Sequence, residues 1–176
     1  MNGAFQPFGG RNGFGFGGRR RGFSQRQQFL DNFNQISGTE ADDSLVGTSE
    51  SDRIFGAAGN DILNADAGDD LLNGSNGNDI LTGGPGTDWL NGGDGQDIFV
   101  FDPTSDIDWI ADFIVGEDII QLSAAFSVTP EQALSQTTTI ATPFMDNRFL
   151  SILNLGDDTL AIKHEGELTS DTFQII

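Results

Sequence analysis

An all-β protein, built as a coil of short strands, is predicted by three features of the sequence. A nine-residue unit repeats seven times from Gly38 to Val100 with no insertion. Inside each unit a stretch rich in Gly, Asn and Asp is followed by three residues dominated by aliphatic side chains. After the repeats come several short apolar runs separated by turn residues, the pattern of further strands.

The units read GTEADDSLV, GTSESDRIF, GAAGNDILN, ADAGDDLLN, GSNGNDILT, GGPGTDWLN and GGDGQDIFV. Position six is always Asp: Asp43, Asp52, Asp61, Asp70, Asp79, Asp88 and Asp97. Position eight is always large and apolar: Leu45, Ile54, Leu63, Leu72, Leu81, Leu90 and Phe99. Glycines at positions one, two and four permit positive φ and leave backbone carbonyls accessible, so six residues form a turn. The next three form a strand whose middle side chain faces one way and whose flanking side chains face the other. Two units, or 18 residues, complete one coil, so odd and even units stack on opposite sides and position eight fills the core between two thin sheets. Position seven then points outward, giving one row Ser44, Ile62, Ile80, Ile98 and another Arg53, Leu71, Trp89. Strand propensity and cover from the C-terminal region are one account of these rows. A contact surface, with Ile62, Ile80 and Ile98 as its first candidate, is the other.

Charge is divided sharply along the chain. The total is −19 from 27 acidic and 8 basic residues. Residues 1–26 hold Arg11, Arg19, Arg20, Arg21, Arg26 and no acid, so the remaining three basic residues face all 27 acids and the body carries −24. Such a body repels phosphate backbones and anionic membranes and attracts cations. The Gly/Phe/Arg-rich N-terminal segment, residues 1–37, is expected to be a disordered tail because ordering it buries few side chains. Nucleic acid would be contacted only through that tail.

Several function classes are excluded at this stage. With no Cys there is neither a disulfide framework nor a thiolate metal site. A single His, His164, rules out a paired-histidine zinc helix and speaks against a Ser-His-Asp triad, so no enzymatic activity is expected. His164 itself reads as a surface residue. No apolar run is long enough to span a membrane, and the N-terminus lacks the apolar core of a cleavable signal peptide.

The repeated unit resembles the G-G-x-G-x-D-x-U-x nonapeptide of the RTX (repeats-in-toxin) family, the hemolysin-type calcium-binding repeat. That resemblance implies a right-handed parallel β-roll over residues 38–100 that binds about three to five Ca²⁺ ions. Each ion would lie between turns 18 residues apart, held by two position-six Asp side chains and by carbonyls of the first four positions. The implied pairs are Asp43 with Asp61, Asp61 with Asp79, Asp79 with Asp97, Asp52 with Asp70, and Asp70 with Asp88. The carbonyls lie near Gly56, Gly59, Gly74, Gly77, Gly83, Gly84, Gly86, Gly92, Gly93 and Gly95. Ala41 and Glu50 replace the position-four glycine in the first two units, and the fourth begins Ala65-Asp66, so Asp61/Asp79, Asp79/Asp97 and Asp70/Asp88 match best. The residues agree with the metal: 13 acids against one Arg in this segment need a cation to fold, and Ca²⁺ takes six to eight hard oxygens in flexible geometry whereas Mg²⁺ dehydrates reluctantly. An EF-hand loop is not present.

Residues 101–176 read as a β cap sealing the open end of the roll. Strands are predicted at Trp109 to Ile114, Asp118 to Leu122, Phe149 to Leu153, Thr159 to Ile162 and Phe173 to Ile176, with a short helix capped by Thr129 and started by Pro130. Asp106, Asp108 and Asp112 could supply extra metal ligands, but solvated strand-edge carboxylates are the favoured expectation for them. The stretch from Asp108 through Leu122 is similar to the segment after the repeats in secreted RTX proteases and lipases, and the ending Asp171-Thr172-Phe173-Gln174-Ile175-Ile176 is similar to their uncleaved type I secretion signals. The resemblance therefore implies a secreted, extracellular calcium-binding protein. Its partners would be calcium ions, with self-association or binding of extracellular polysaccharide, matrix or a cell surface as further expectations.

Overall fold

The computed structural model describes residues 33–103, 106–141 and 148–176. The tail expected at the N-terminus lies outside them except for its last residues. Asn34–Ser37, assigned to that tail by sequence, form the first strand, β1. It pairs in parallel with β3 (Asp52–Ala58), Ile36 opposite Ile54. The reason is a degenerate unit before the first recognised one: Asn34 stands nine residues before Asp43 and Ile36 nine before Leu45, so β1 meets the core like every later strand.

The strands of the repeats are β2 (Ser44–Val46), β3, β4 (Ile62–Asn64), β5 (Leu71–Asn76), β6 (Ile80–Thr82), β7 (Trp89–Asp94) and β8 (Ile98–Phe101). They alternate between two sheets. Each strand pairs in parallel with the strand two units on, Ile54 with Leu72 and Leu63 with Leu81, an 18-residue register without slippage. This is a parallel β-solenoid. Ile54, Leu63, Leu72, Leu81, Leu90 and Phe99 are buried and form one continuous core, with Leu45 partly buried at its open end.

Both sheets continue past the last repeat. The longer runs β1-β3-β5-β7-β9-β13-β12-β11, where β9 is Ile107–Ile114, β11 Thr137–Ala141, β12 Arg148–Leu155 and β13 Asp158–Glu165. The shorter runs β14-β10-β8-β6-β4-β2, where β10 is Ile119–Leu122 and β14 Phe173–Ile175. The parallel register gives way to antiparallel pairing only at β12 and β11, and the short helix α1 (Pro130–Gln136) packs on this end. Thr129 caps α1 in a reciprocal box with Gln132, and Pro130 stands in its first turn. β11 was not legible in the sequence: Thr137-Thr138-Thr139 follow α1 directly, with no turn residue between. Among the described residues no helix is long and apolar enough to cross a membrane.

Candidate metal centre

The turns are shaped by left-handed backbone at two fixed places. From the third unit on, position four is Gly59, Gly68, Gly77, Gly86 and Gly95, all at positive φ. Position two is also at positive φ, including the non-glycine residues Ala57, Asp66 and Ser75, a strain of about 1 to 3 kcal/mol each. A Cβ added at Gly77 would strike the Gly59 carbonyl, one at Gly86 the Gly68 carbonyl, and one at Gly84 the Asp66 carbonyl. Gly93 and Gly95 are pressed in the same way by the carbonyls of Ser75 and Gly77. Carbonyls at positions two and four thus project from each turn toward the turn 18 residues later.

The position-six carboxylates line the inside of these turns as two ladders. Asp61 Oδ1 accepts a hydrogen bond from the Asp43 N–H at 2.8 Å, Asp79 Oδ1 from Asp61 at 2.7 Å, and Asp97 Oδ1 from Asp79 at 2.9 Å. On the other side Asp70 accepts from Asp52 at 2.6 Å and Asp88 from Asp70 at 2.9 Å. Asp52, Asp61, Asp70, Asp79, Asp88 and Asp97 are all buried, whereas Asp43 at the open end is only partly so.

The ladders do not stop at the last repeat. Asp108 Oδ1 accepts from the Asp88 N–H at 3.1 Å and Asp118 Oδ1 from the Asp97 N–H at 3.0 Å, with both carboxylates buried. Asp112 accepts from Gly92 and Gly93 at 3.1 and 2.9 Å. Asp108 and Asp112 are therefore not solvated strand-edge groups as expected; only Asp106 of the three is exposed. Asp118 was not singled out from the sequence at all. The missed signal is the tripeptide Asp-x-apolar, which recurs as Asp108-Trp109-Ile110 and Asp118-Ile119-Ile120 after the nine-residue count has broken.

The second oxygen of each carboxylate divides the ladder into two kinds. At the ends it is satisfied within its own turn: Thr39 donates its N–H and hydroxyl to Asp43 Oδ2, Thr48 does the same for Asp52 Oδ2, and the Ile114 N–H serves Asp118 Oδ2, although Asp52 still buries an Oδ1 that has no partner among the described residues. In the middle Asp61, Asp70, Asp79, Asp88 and Asp97 each bury an Oδ2 with no hydrogen-bond partner. Four of these oxygens crowd the Cα of the glycine that opens their own unit, so that a Cβ on Gly56, Gly74, Gly83 or Gly92 would collide with them. The Gly74 carbonyl faces the same point over Gly56 as Asp61 Oδ2, and the Gly92 carbonyl the same point over Gly74 as Asp79 Oδ2. Unpaired buried carboxylate oxygens converging with carbonyls fit a hard divalent cation of flexible coordination. Among the described residues no three His, Cys, Asp or Glu side chains form a metal-holding group; the carboxylates come in pairs, and the oxygens that converge with them are backbone carbonyls.

Burial penalises these charges. It pushes Asp70 up to about 6, Asp97 and Asp108 to about 7 and Asp88 to about 8, against hydrogen bonds from the neighbouring coil that act in the opposite direction, and it also raises Asp79, Asp112 and Asp118. A carboxyl raised by folding binds more protons in the folded state, so its contribution is complete below its unfolded value and is lost as pH rises through the folded one. Without metal, the β-sheet circular dichroism of the chain is expected to grow on acidification from about pH 8 to about pH 5.5. A metal-free signal that falls over this interval contradicts the assignment of buried, uncompensated carboxylates.

His164 is also placed differently from the expectation. It is buried, with Nε2 2.7 Å from Ser151 Oγ, which lies 2.7 Å from Thr139 Oγ1, and Phe149 stacks on its ring. Burial holds the imidazole below its usual value. Ser151 is itself fully buried, and His164 Nδ1 has no hydrogen-bond partner among the described residues.

Residues 37–72, 66–99 and 73–107 match the family model described as RTX calcium-binding nonapeptide repeat (4 copies). No curated protein is significantly similar to the chain. Among solved structures, the AlgE6R2 subunit of the Azotobacter vinelandii mannuronan C5-epimerase is 24% identical with a TM-score of 0.43, over 81% of this chain and 92% of that one. The AlgE6R3 subunit of the same epimerase is 27% identical with a TM-score of 0.36, over 81% and 82%.

Proposed function

Because residues 37–107 of this chain are RTX calcium-binding nonapeptide repeats, we propose that it is a secreted, non-enzymatic protein whose solenoid folds on Ca²⁺ outside the cell. The observation that carries this reading is the set of five buried Oδ2 atoms without partners. The best-supported ligand pairs are those in which both Oδ2 are unpartnered: Asp61 with Asp79, Asp79 with Asp97, and Asp70 with Asp88. Around them the carbonyls of positions one, two and four supply the remaining oxygens. Asp43 is held by Thr39 at the open end, while Asp52, whose Oδ2 is held by Thr48, still offers an unpartnered Oδ1 toward the pair with Asp70. Bound Ca²⁺ would supply the positive charge that the repeats lack.

Each residue in the unit has a part in that coupling. The position-six Asp orders the neighbouring coil through its Oδ1 and offers Oδ2 to the ion, while the glycines leave room for both. A chain of this charge stays unfolded where Ca²⁺ is scarce and folds where it is abundant, which suits export in an unfolded state and folding after it. Export by the type I route belongs to the same reading and is supported by the resemblance of the segment after the repeats. Flow dialysis against radioactive Ca²⁺ near neutral pH is expected to show about three or more ions bound per chain, with millimolar Mg²⁺ unable to displace them. Absence of bound Ca²⁺ under these conditions overturns the proposal.

A further inference from the structure

The outer face of the longer sheet carries a ridge that the calcium reading does not use. Parallel register places Arg53, Leu71, Trp89 and Trp109 on successive strands at the same height. Trp89 and Trp109 are 48% and 37% exposed, and their rings stack with centroids 6.1 Å apart and planes 16° from parallel. Leu71 is half-buried beside them, and the row ends at Ala161, opposite Trp109 on β13. At the other end the Arg53 guanidinium lies over the Phe33 ring, 5.3 Å from its centroid. An aromatic ridge of this kind on a small, highly charged body marks an interaction surface. The expectation from sequence favoured the row Ile62, Ile80, Ile98 on the other sheet; there only Ile62 is strongly exposed and the other two are half-buried.

We infer that this ridge receives the basic N-terminal segment, residues 1–26, of a second copy of the chain, so that copies associate through it. Charge complementarity selects the occupant: the segment carries +5 and the body −24, which disfavours any anionic partner on this surface. Chemistry selects it as well. Arg11, Arg19, Arg20, Arg21 and Arg26 are interleaved with Phe5, Phe8, Phe14, Phe16 and Phe23, and guanidinium over indole and phenyl against indole are the contacts an exposed Trp pair favours. The contact of Arg53 with Phe33 shows the same pairing of guanidinium and aryl ring at the ridge's own edge. Because each copy carries both the segment and the ridge, every copy can donate one contact and receive another.

The protein reports on the site directly, because Trp89 and Trp109 are its only two tryptophans. Sedimentation velocity of the full chain in saturating Ca²⁺ is expected to show a weight-average sedimentation coefficient that rises with concentration, together with a concentration-dependent change in tryptophan emission. Raising salt to about 1 M, where the Debye length is about 3 Å, is expected to reverse both. Replacing Arg19, Arg20 and Arg21 together by Gln, which alters no residue of the solenoid, is expected to weaken association about tenfold or more, and so is Trp89→Ala. Circular dichroism in Ca²⁺ verifies that each variant still folds, which separates failure of this contact from failure of the calcium reading. A sedimentation coefficient that stays constant with concentration, or association that the triple Arg variant leaves unchanged, overturns the proposal.

Discussion

In excess chelator at mildly alkaline pH the chain is expected to lose its β-sheet circular dichroism, and millimolar Ca²⁺ is expected to restore it. The effect is large because metal binding and folding draw on one free energy. Each coil buries one apolar side chain per unit and, with it, carboxylates whose Oδ2 meet no donor. An isolated ionised carboxylate in such a place is strongly unfavourable, and the alternative of protonation is removed at alkaline pH. No position-eight side chain, Leu63 or Leu81 included, offsets that cost, since one such residue contributes only about 1.5 to 3 kcal/mol on burial. The transition is expected to be cooperative in Ca²⁺, because Asp61 serves the coil before it and Asp79 serves Asp61 in turn. Identical β-rich spectra with and without chelator contradict the account.

The second large effect separates two aspartates that the repeat makes look alike. Asp79→Ala is expected to raise the Ca²⁺ concentration needed for folding about tenfold or more and to lower the ion count, since Asp79 belongs to two of the best-supported pairs. Asp43→Ala is expected to shift that concentration only a few-fold. The structural difference is plain. Asp79 buries an unpartnered Oδ2, whereas Asp43 is half-exposed and its Oδ2 already accepts from the Thr39 N–H and hydroxyl. Titration calorimetry and circular dichroism check both, and equal losses for the two variants refute the division of the ladder into metal-facing and self-capped turns.

Much of this protein is determined by local sequence. Position six and position eight recur every nine residues, a strand alternates its faces, and the glycines admit left-handed turns. Those facts suffice to put Leu63 and Leu81 in a core, to set the 18-residue register and to nominate seven aspartates. Thr129 and Pro130 announce the helix by the same local chemistry. The tertiary structure decided the rest, because it depends on which backbone amide the neighbouring coil presents. Asp108 and Asp118 join the ladders at offsets of 20 and 21 residues. Strand pairing holds Ile110 opposite Leu90 and Ile120 opposite Phe99, while the extra residues are taken up between the strands, so a count along the chain misses them. Thr39 and Thr48, at position two of the first two units, quench the second oxygen of the aspartate four residues on with their own N–H and hydroxyl. His164 looks like an end-of-strand surface residue until β12 sets Ser151 and Phe149 against it. For Asp108, Asp118 and His164 the residue type was legible, but its role was set by a hydrogen-bond partner contributed from another part of the chain.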